Sequence, residues 1–194
     1  MNKFAISTAL AAVALAIPAA APAQKVGSAV IVVVDSERVF RDCNACKAAQ
    51  TQLQTQLQQL QQRAQQLGQP LETEAASIRT AAGGKAPDAA LQKRIQDLQT
   101  RQSTAAQEIQ RSEATFNRNR AYVAQQIQTR LNPIIQQVMT TRGANVALDT
   151  QATLARSPAL DVTNDVLAAL NQQLPSVVTT APAAPQQQQQ PQGR

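Results

Sequence analysis

Cys43 and Cys46 are the only thiols in the chain, set three residues apart as Cys-Asn-Ala-Cys. A CxxC of this spacing serves as a redox dithiol, half a zinc site, a haem anchor or a local disulfide. Zinc would need two further ligands, and the chain has no other Cys and no His. Haem attachment would need His after the second Cys, where Lys47 stands. A redox dithiol needs a thioredoxin-type fold around it, which the order of strand and helix does not offer. A structural disulfide is the preferred reading, with free or intermolecular thiols as its competitor.

The missing His excludes more chemistry. A Ser-His-Asp triad, a Cys-His pair and an HExxH site are all out of reach. The only Gly pair, Gly83-Gly84, lacks the Lys-Ser/Thr ending of a phosphate loop. The chain therefore reads as a non-enzyme that needs no cofactor or metal. The remaining chemical signal is charge. Between Pro87 and Arg142 eight basic residues face four acidic ones, with Lys93, Arg94, Arg101, Arg111, Arg118 and Arg120 the densest part. Such a face attracts acidic polypeptides or anionic lipid head groups through its long-range field. The plainer reading is a solvated helix face that keeps the chain soluble. Nucleic acid is not expected, because the basic residues lack aromatic stacking partners.

The elements that position these residues follow from periodicity. Residues 1–23 read as a cleavable export signal: Lys3, an apolar stretch from Phe4 to Ile17, and Ala21-Pro22-Ala23 as the processing site. Without Lys3 the formal charge falls from +6 to +5. Ala29–Val34 is a β-branched run, read as a buried strand, after which Asp35 or Ser36 caps a short helical turn. From Asn44 to Ala82, Leu53, Leu57, Leu60, Ala64, Leu67 and Leu71 recur in alternating steps of four and three, a heptad seam. Gly68 and Pro70 are expected to kink this helix. A turn at residues 83–88 leads to a second helix, Pro87 to Thr140, whose stripe includes Leu98, Ile109 and Phe116; Pro133 should bend it. Reflecting one helix on the other about residue 85 faces Leu53 with Phe116, Leu60 with Ile109 and Leu71 with Leu98. Long helices joined by a short turn run antiparallel.

Asn145–Thr150 alternates apolar and polar residues and reads as a second strand, with a weaker one at Thr153–Ala155. A short helix follows from Asn164 to Leu174, with Thr163 as its N-cap. Beyond about Ser176 the Pro/Ala/Gln tail has too little apolar content to fold. The aromatic share is only 2%, which suits narrow Leu/Ala seams better than a wide core. The fold class is α+β and mostly α. Residues 24–43 and 141–175 make a small head, residues 44–140 an inserted antiparallel helical hairpin, and residues 176–194 a disordered tail. Two or three short strands are marginal alone, so the head is expected to complete itself by self-association through Val30, Val32, Val34, Val146 and Leu148.

The order of these pieces, with Asp35-Ser36-Glu37-Arg38-Val39-Phe40, Val146-Ala147-Leu148-Asp149 and Asp161-Val162-Thr163-Asn164-Asp165-Val166-Leu167, resembles the Skp/OmpH family of periplasmic chaperones over about residues 28–174. The resemblance implies a homotrimer in which strands of three subunits form a body and the hairpins surround a cavity. It implies an ATP-independent holdase that encloses unfolded outer-membrane β-barrel proteins in the periplasm. The Cys pair, the Gln-rich arm, Pro133 and the Pro/Gln tail depart from the family pattern. The basic residues do not align with the lipopolysaccharide site proposed for the family, so that site is not carried over. The alternatives are a coiled-coil envelope adaptor with a fixed folded partner, and a basic exported protein that binds lipid or another polyanion.

Overall fold

The computed structural model describes residues 27–183. The export segment read in residues 1–23 lies outside them, as do residues 184–194. Strand β1, Ile31–Val34, opens the fold. Asp35 ends it and caps α1, Ser36–Asp42, its carboxylate accepting from the Arg38 N–H at 2.8 Å. Cys43 then caps α2, Asn44–Ala82, and its Sγ accepts from the Cys46 N–H at 3.0 Å. The 39 residues of α2 extend roughly 58 Å at helical rise. Gly83, at φ +51°, ends α2 in the left-handed conformation that Gly adopts without a Cβ clash.

Helix α3, Ala89–Thr141, starts on Asp88, whose carboxylate accepts from the Leu91 N–H at 2.8 Å. Pro87 therefore stands just before the cap, not in the first turn, because Asp88 supplies the better acceptor. Gly68 and Pro70 lie inside α2, and Pro133 inside α3, and each helix continues past them. A proline removes one hydrogen bond, and packing against a neighbouring helix holds the turn on either side of it.

Strand β2, Val146–Asp149, pairs in parallel with β1, matching Ile31 to Val146 and Val34 to Asp149. Parallel strands cannot be joined by a tight turn; here the whole hairpin is the crossover. Both strands are shorter than the sequence runs suggest. Thr153–Ala155 does not form a strand: Thr150–Ala152 is a 3-10 turn and Leu154 is fully exposed. A second 3-10 turn, Pro158–Leu160, leads instead to an isolated bridge between Asp161 and Val33. Helix α4, Thr163–Gln173, closes the head.

Thr163 is the first residue of α4 and not its cap. Val162 occupies the cap position without a side-chain bond, and the Thr163 hydroxyl accepts from the Asp35 N–H at 2.9 Å. Asp161 supplies the capping acceptor, taking the Thr163 N–H at 2.9 Å.

Two apolar clusters result. The larger joins Val32, Val34, Val39, Ala45, Cys46 and Ala49 to Val123, Ile127, Leu131 and Ile134 of α3 and to Val166 and Leu170 of α4. It covers the head and the root of the hairpin together. The smaller sits near the turn, around Ile78, Leu91 and Leu98 with Leu71 against them. Between them the arm buries little: Leu60, Leu67, Ile109 and Phe116 are half-buried and Leu57 is exposed. Cutting Leu170, fully buried, to Ala would cost about 2–5 kcal/mol.

The expected rungs hold near the turn but not at the root. Leu53 packs against the head-side cluster, whereas Phe116 lines a groove with Leu60. Gln56 meets Asn119 at 2.9 Å, about five residues beyond where reflection places it. The head-side cluster draws α3 past the register that the turn alone would set.

Residues 176–183 also correct the sequence reading, which assigned them to an unfolded tail. Val177 packs on the large cluster, and Thr179 and Ala181 are buried. Composition underrated this segment because polar side chains of the arm, distant in sequence, hold its backbone and add to the packing of Val177.

Candidate functional site

The motifs that carry the resemblance turn out to be joints between distant parts of the chain. Asp35, Arg38, Asp161, Thr163 and Asn164 form one connected network, in which Arg38 donates to the Asn164 carboxamide oxygen at 2.8 Å. Ser36 donates from its hydroxyl to Asp149 at the end of β2. That bond, with the Gln151 N–H, holds the Asp149 carboxyl below its ordinary pKa. Asp161 is lowered too, first by its bond to Thr163, with Arg156 adding to it. Arg142 at the end of α3 pairs with Asp165 of α4. These contacts bring four separate stretches of sequence to one junction at the base of the arm.

Cys43 and Cys46 stand at that base, joined as a disulfide, with Cα atoms 5.1 Å apart and both side chains buried. Asn171 of α4 accepts from the Asn44 N–H at 2.8 Å, so the first turn of α2 is anchored from two directions.

The arm presents open grooves rather than a closed cavity. One, of about 570 Å³, is lined by Gln56, Gln59, Leu60, Arg63, Glu108, Arg111, Phe116 and Asn119 among others. A second, also about 570 Å³, is lined by Ala64, Leu67, Gly68, Leu71, Ala105 and Ile109 among others. Both follow the stretch where the two helices bury least. Arg63 pairs with Glu108 across it at 2.6 Å, and Arg94 pairs with Glu74 nearer the turn at 3.0 Å. The Arg63 bond holds the Glu108 carboxyl below its ordinary range, yet exposed pairs of this type contribute little to stability. Among the described residues no group of three or more His, Cys, Asp or Glu gathers as a metal site would require. No helix described is long and apolar enough to cross a membrane.

The sequence model for outer membrane protein (OmpH-like) matches residues 30–170, from the first strand to the last helix. The chain belongs to the OmpH-like family. A crystal structure from Caulobacter crescentus, provisionally described as an outer membrane chaperone (OmpH-like), superposes with a TM-score of 0.69 at 22% identity, covering 87% of this chain and 99% of that one. At that identity the likeness speaks to fold alone. A search of curated proteins returned no match.

Within this OmpH-like fold the residues singled out from sequence divide by environment. Val32 and Val34 face the chain's own helices and are buried in its core. Val30, Ile31 and Leu148 stay exposed, with Val146 half-buried beside them. Paired residues of a sheet share a face, so Ile31, Val33, Val146 and Leu148 lie together; Val33 is buried among them, and Ile31 and Leu148 remain exposed.

Among the basic residues, Arg94 is tied to Glu74 and to the Ser77 hydroxyl, and Arg120 lies 5.9 Å from the Phe116 ring centre. Lys93, Arg101, Arg111 and Arg118 are exposed. Sequence reasoning missed the joint residues Ser36, Asp149, Asp161 and Thr163 as a connected set, and it missed Asn119 altogether. The one available signal was an Asn on a helical stripe otherwise occupied by Phe116, Val123 and Ile127.

Proposed function

We propose that this chain is an ATP-independent holdase for unfolded outer-membrane β-barrel proteins, working in the periplasm as a homotrimer. Membership of the OmpH-like family supports a chaperone role in general. The observation that carries the finer reading is the arm: two long helices rise from a small head and bury little along their middle. A surface of that kind offers many shallow contacts and no deep site, which suits a client that must stay mobile and be released. Exposed Ile31 and Leu148, with half-buried Val146, beside the β2 edge of a two-stranded sheet are where further copies would complete the head. Exposed cations on the returning helix raise the local concentration of acidic clients and suit anionic lipid surfaces as well.

Removal of residues 58–111 tests the reading. The shortened chain should keep a folded, oligomeric head by circular dichroism and light scattering, and should fail to suppress aggregation of a urea-unfolded β-barrel protein on dilution. Suppression equal to that of the full chain would overturn enclosure by the arms.

A further inference from the structure

Burial from Val177 to Pro182 alternates: Val177, Thr179 and Ala181 turn inward while Val178, Thr180 and Pro182 are exposed. That period of two marks an extended segment. It lies across both helices of the hairpin, and its backbone is met by side-chain carboxamides. Gln126 donates from Nε2 to the Val178 carbonyl at 2.8 Å and accepts the Val178 N–H on Oε1 at 3.1 Å. Gln56 Nε2 donates to the Thr179 carbonyl at 3.1 Å, and Asn119 Oδ1 accepts the Ala181 N–H at 2.9 Å. The Thr179 hydroxyl donates to Gln52 at 2.7 Å.

The orientation of these carboxamides is forced. A peptide N–H can only donate and a carbonyl can only accept, so Asn119 must present oxygen and Gln56 nitrogen to the segment. Their remaining atoms then match, Asn119 Nδ2 donating to Gln56 Oε1 at 2.9 Å. The receptor groups thus brace one another within the arm, and Asn119 is buried.

Four of the five bonds to the segment address its backbone, which every polypeptide carries. The side chains that turn inward are small or β-branched. We infer that the groove of Gln52, Gln56, Asn119 and Gln126 is a binding site for extended polypeptide, occupied at rest by this chain's own residues 177–181, which an unfolded client segment displaces. The inference rests on the holdase reading for the identity of the displacing chain, and not for the existence of the groove. The site continues past Ala181 into the 570 Å³ groove, since Gln56 and Asn119 line both, so a client displacing the strap finds open surface beyond it.

The test uses a chain ending at Pro175 and a labelled peptide of the sequence Ser176–Ala183, followed by fluorescence anisotropy. The shortened chain should bind the peptide, and the full chain should bind it about tenfold more weakly, since an occupied site lowers apparent affinity by the fraction left open. Thr179→Arg in the full chain expels the strap without altering the arm and should restore peptide binding. Absence of peptide binding to both the shortened chain and Thr179→Arg, each with full helical signal, overturns the inference. An unfolded β-barrel protein should also bind both variants more tightly than the full chain. If peptide binding is seen but no form of the chain binds the unfolded protein, the groove stands and the holdase reading falls.

Discussion

The Thr163 hydroxyl accepts the backbone N–H of Asp35 at 2.9 Å, across 128 positions of sequence. It fastens the start of the last helix to the end of the first strand, and Thr163 is fully buried there. Thr163→Val keeps the shape and removes the acceptor, leaving the Asp35 N–H without a partner. The expected loss is about 1–3 kcal/mol, read as a lower urea midpoint with an unchanged slope.

Acid should loosen the same junction. Asp149 and Asp161 both have folded pKa values below those of an unfolded carboxyl. Their contribution is present above the unfolded value, about 3.9, and is lost as pH falls through the lower folded values. Thermal midpoints should therefore hold near neutrality and fall below about pH 4. Ser36→Ala should move the Asp149 carboxyl back up toward its ordinary range, measured by NMR titration.

The Cys43–Cys46 bridge closes a very short loop, so its effect on the unfolded chain is small. Chain-entropy reasoning gives about 2 kcal/mol for a loop of this size. Reductant should lower the melting temperature of the protein while leaving the arm helical, and alkylation of unfolded protein should label both thiols only after reduction. Two labelled thiols without reductant would show the bridge to be absent from the native protein.

Leu148→Glu places a charge on the exposed face of β2 and should lower the mass seen in light scattering without loss of helix. Val32→Glu, by contrast, buries that charge inside the chain's own core and should unfold the head. The contrast separates the exposed face of the sheet from the face buried in the chain's own core.

Reversing the exposed cations Lys93, Arg101 and Arg118 to Glu should slow capture of an acidic client several-fold at low salt, with the difference shrinking toward physiological ionic strength as screening sets in. Stopped-flow association at two salt concentrations measures it. Arg94, held by Glu74 and Ser77, should contribute less than its neighbours.

Local physics was legible in the residues themselves. The β-branched run of Val32 to Val34 cannot rotate freely at χ1 and forms a strand. The four-and-three spacing from Leu53 to Leu71 puts apolar groups on one stripe and forms a helix. Asp88 and Gly83 mark a start and a stop, and two such helices with a short turn must be antiparallel. Each of these rests on neighbours in the chain, so the sequence alone determined an α+β head with an inserted hairpin. Tertiary structure decided what depends on partners far along the chain. It drew Leu53 into the head core and away from Phe116, gave the Thr163 hydroxyl to Asp35, and buried Val32 while leaving Leu148 open. It also turned the Ser176–Ala183 segment, which lies just after the last helix, into an ordered strap. A carboxamide on a helix surface looks the same in sequence whether it faces water or a peptide backbone; only the packing of the two helices aims Asn119 and Gln126 at one.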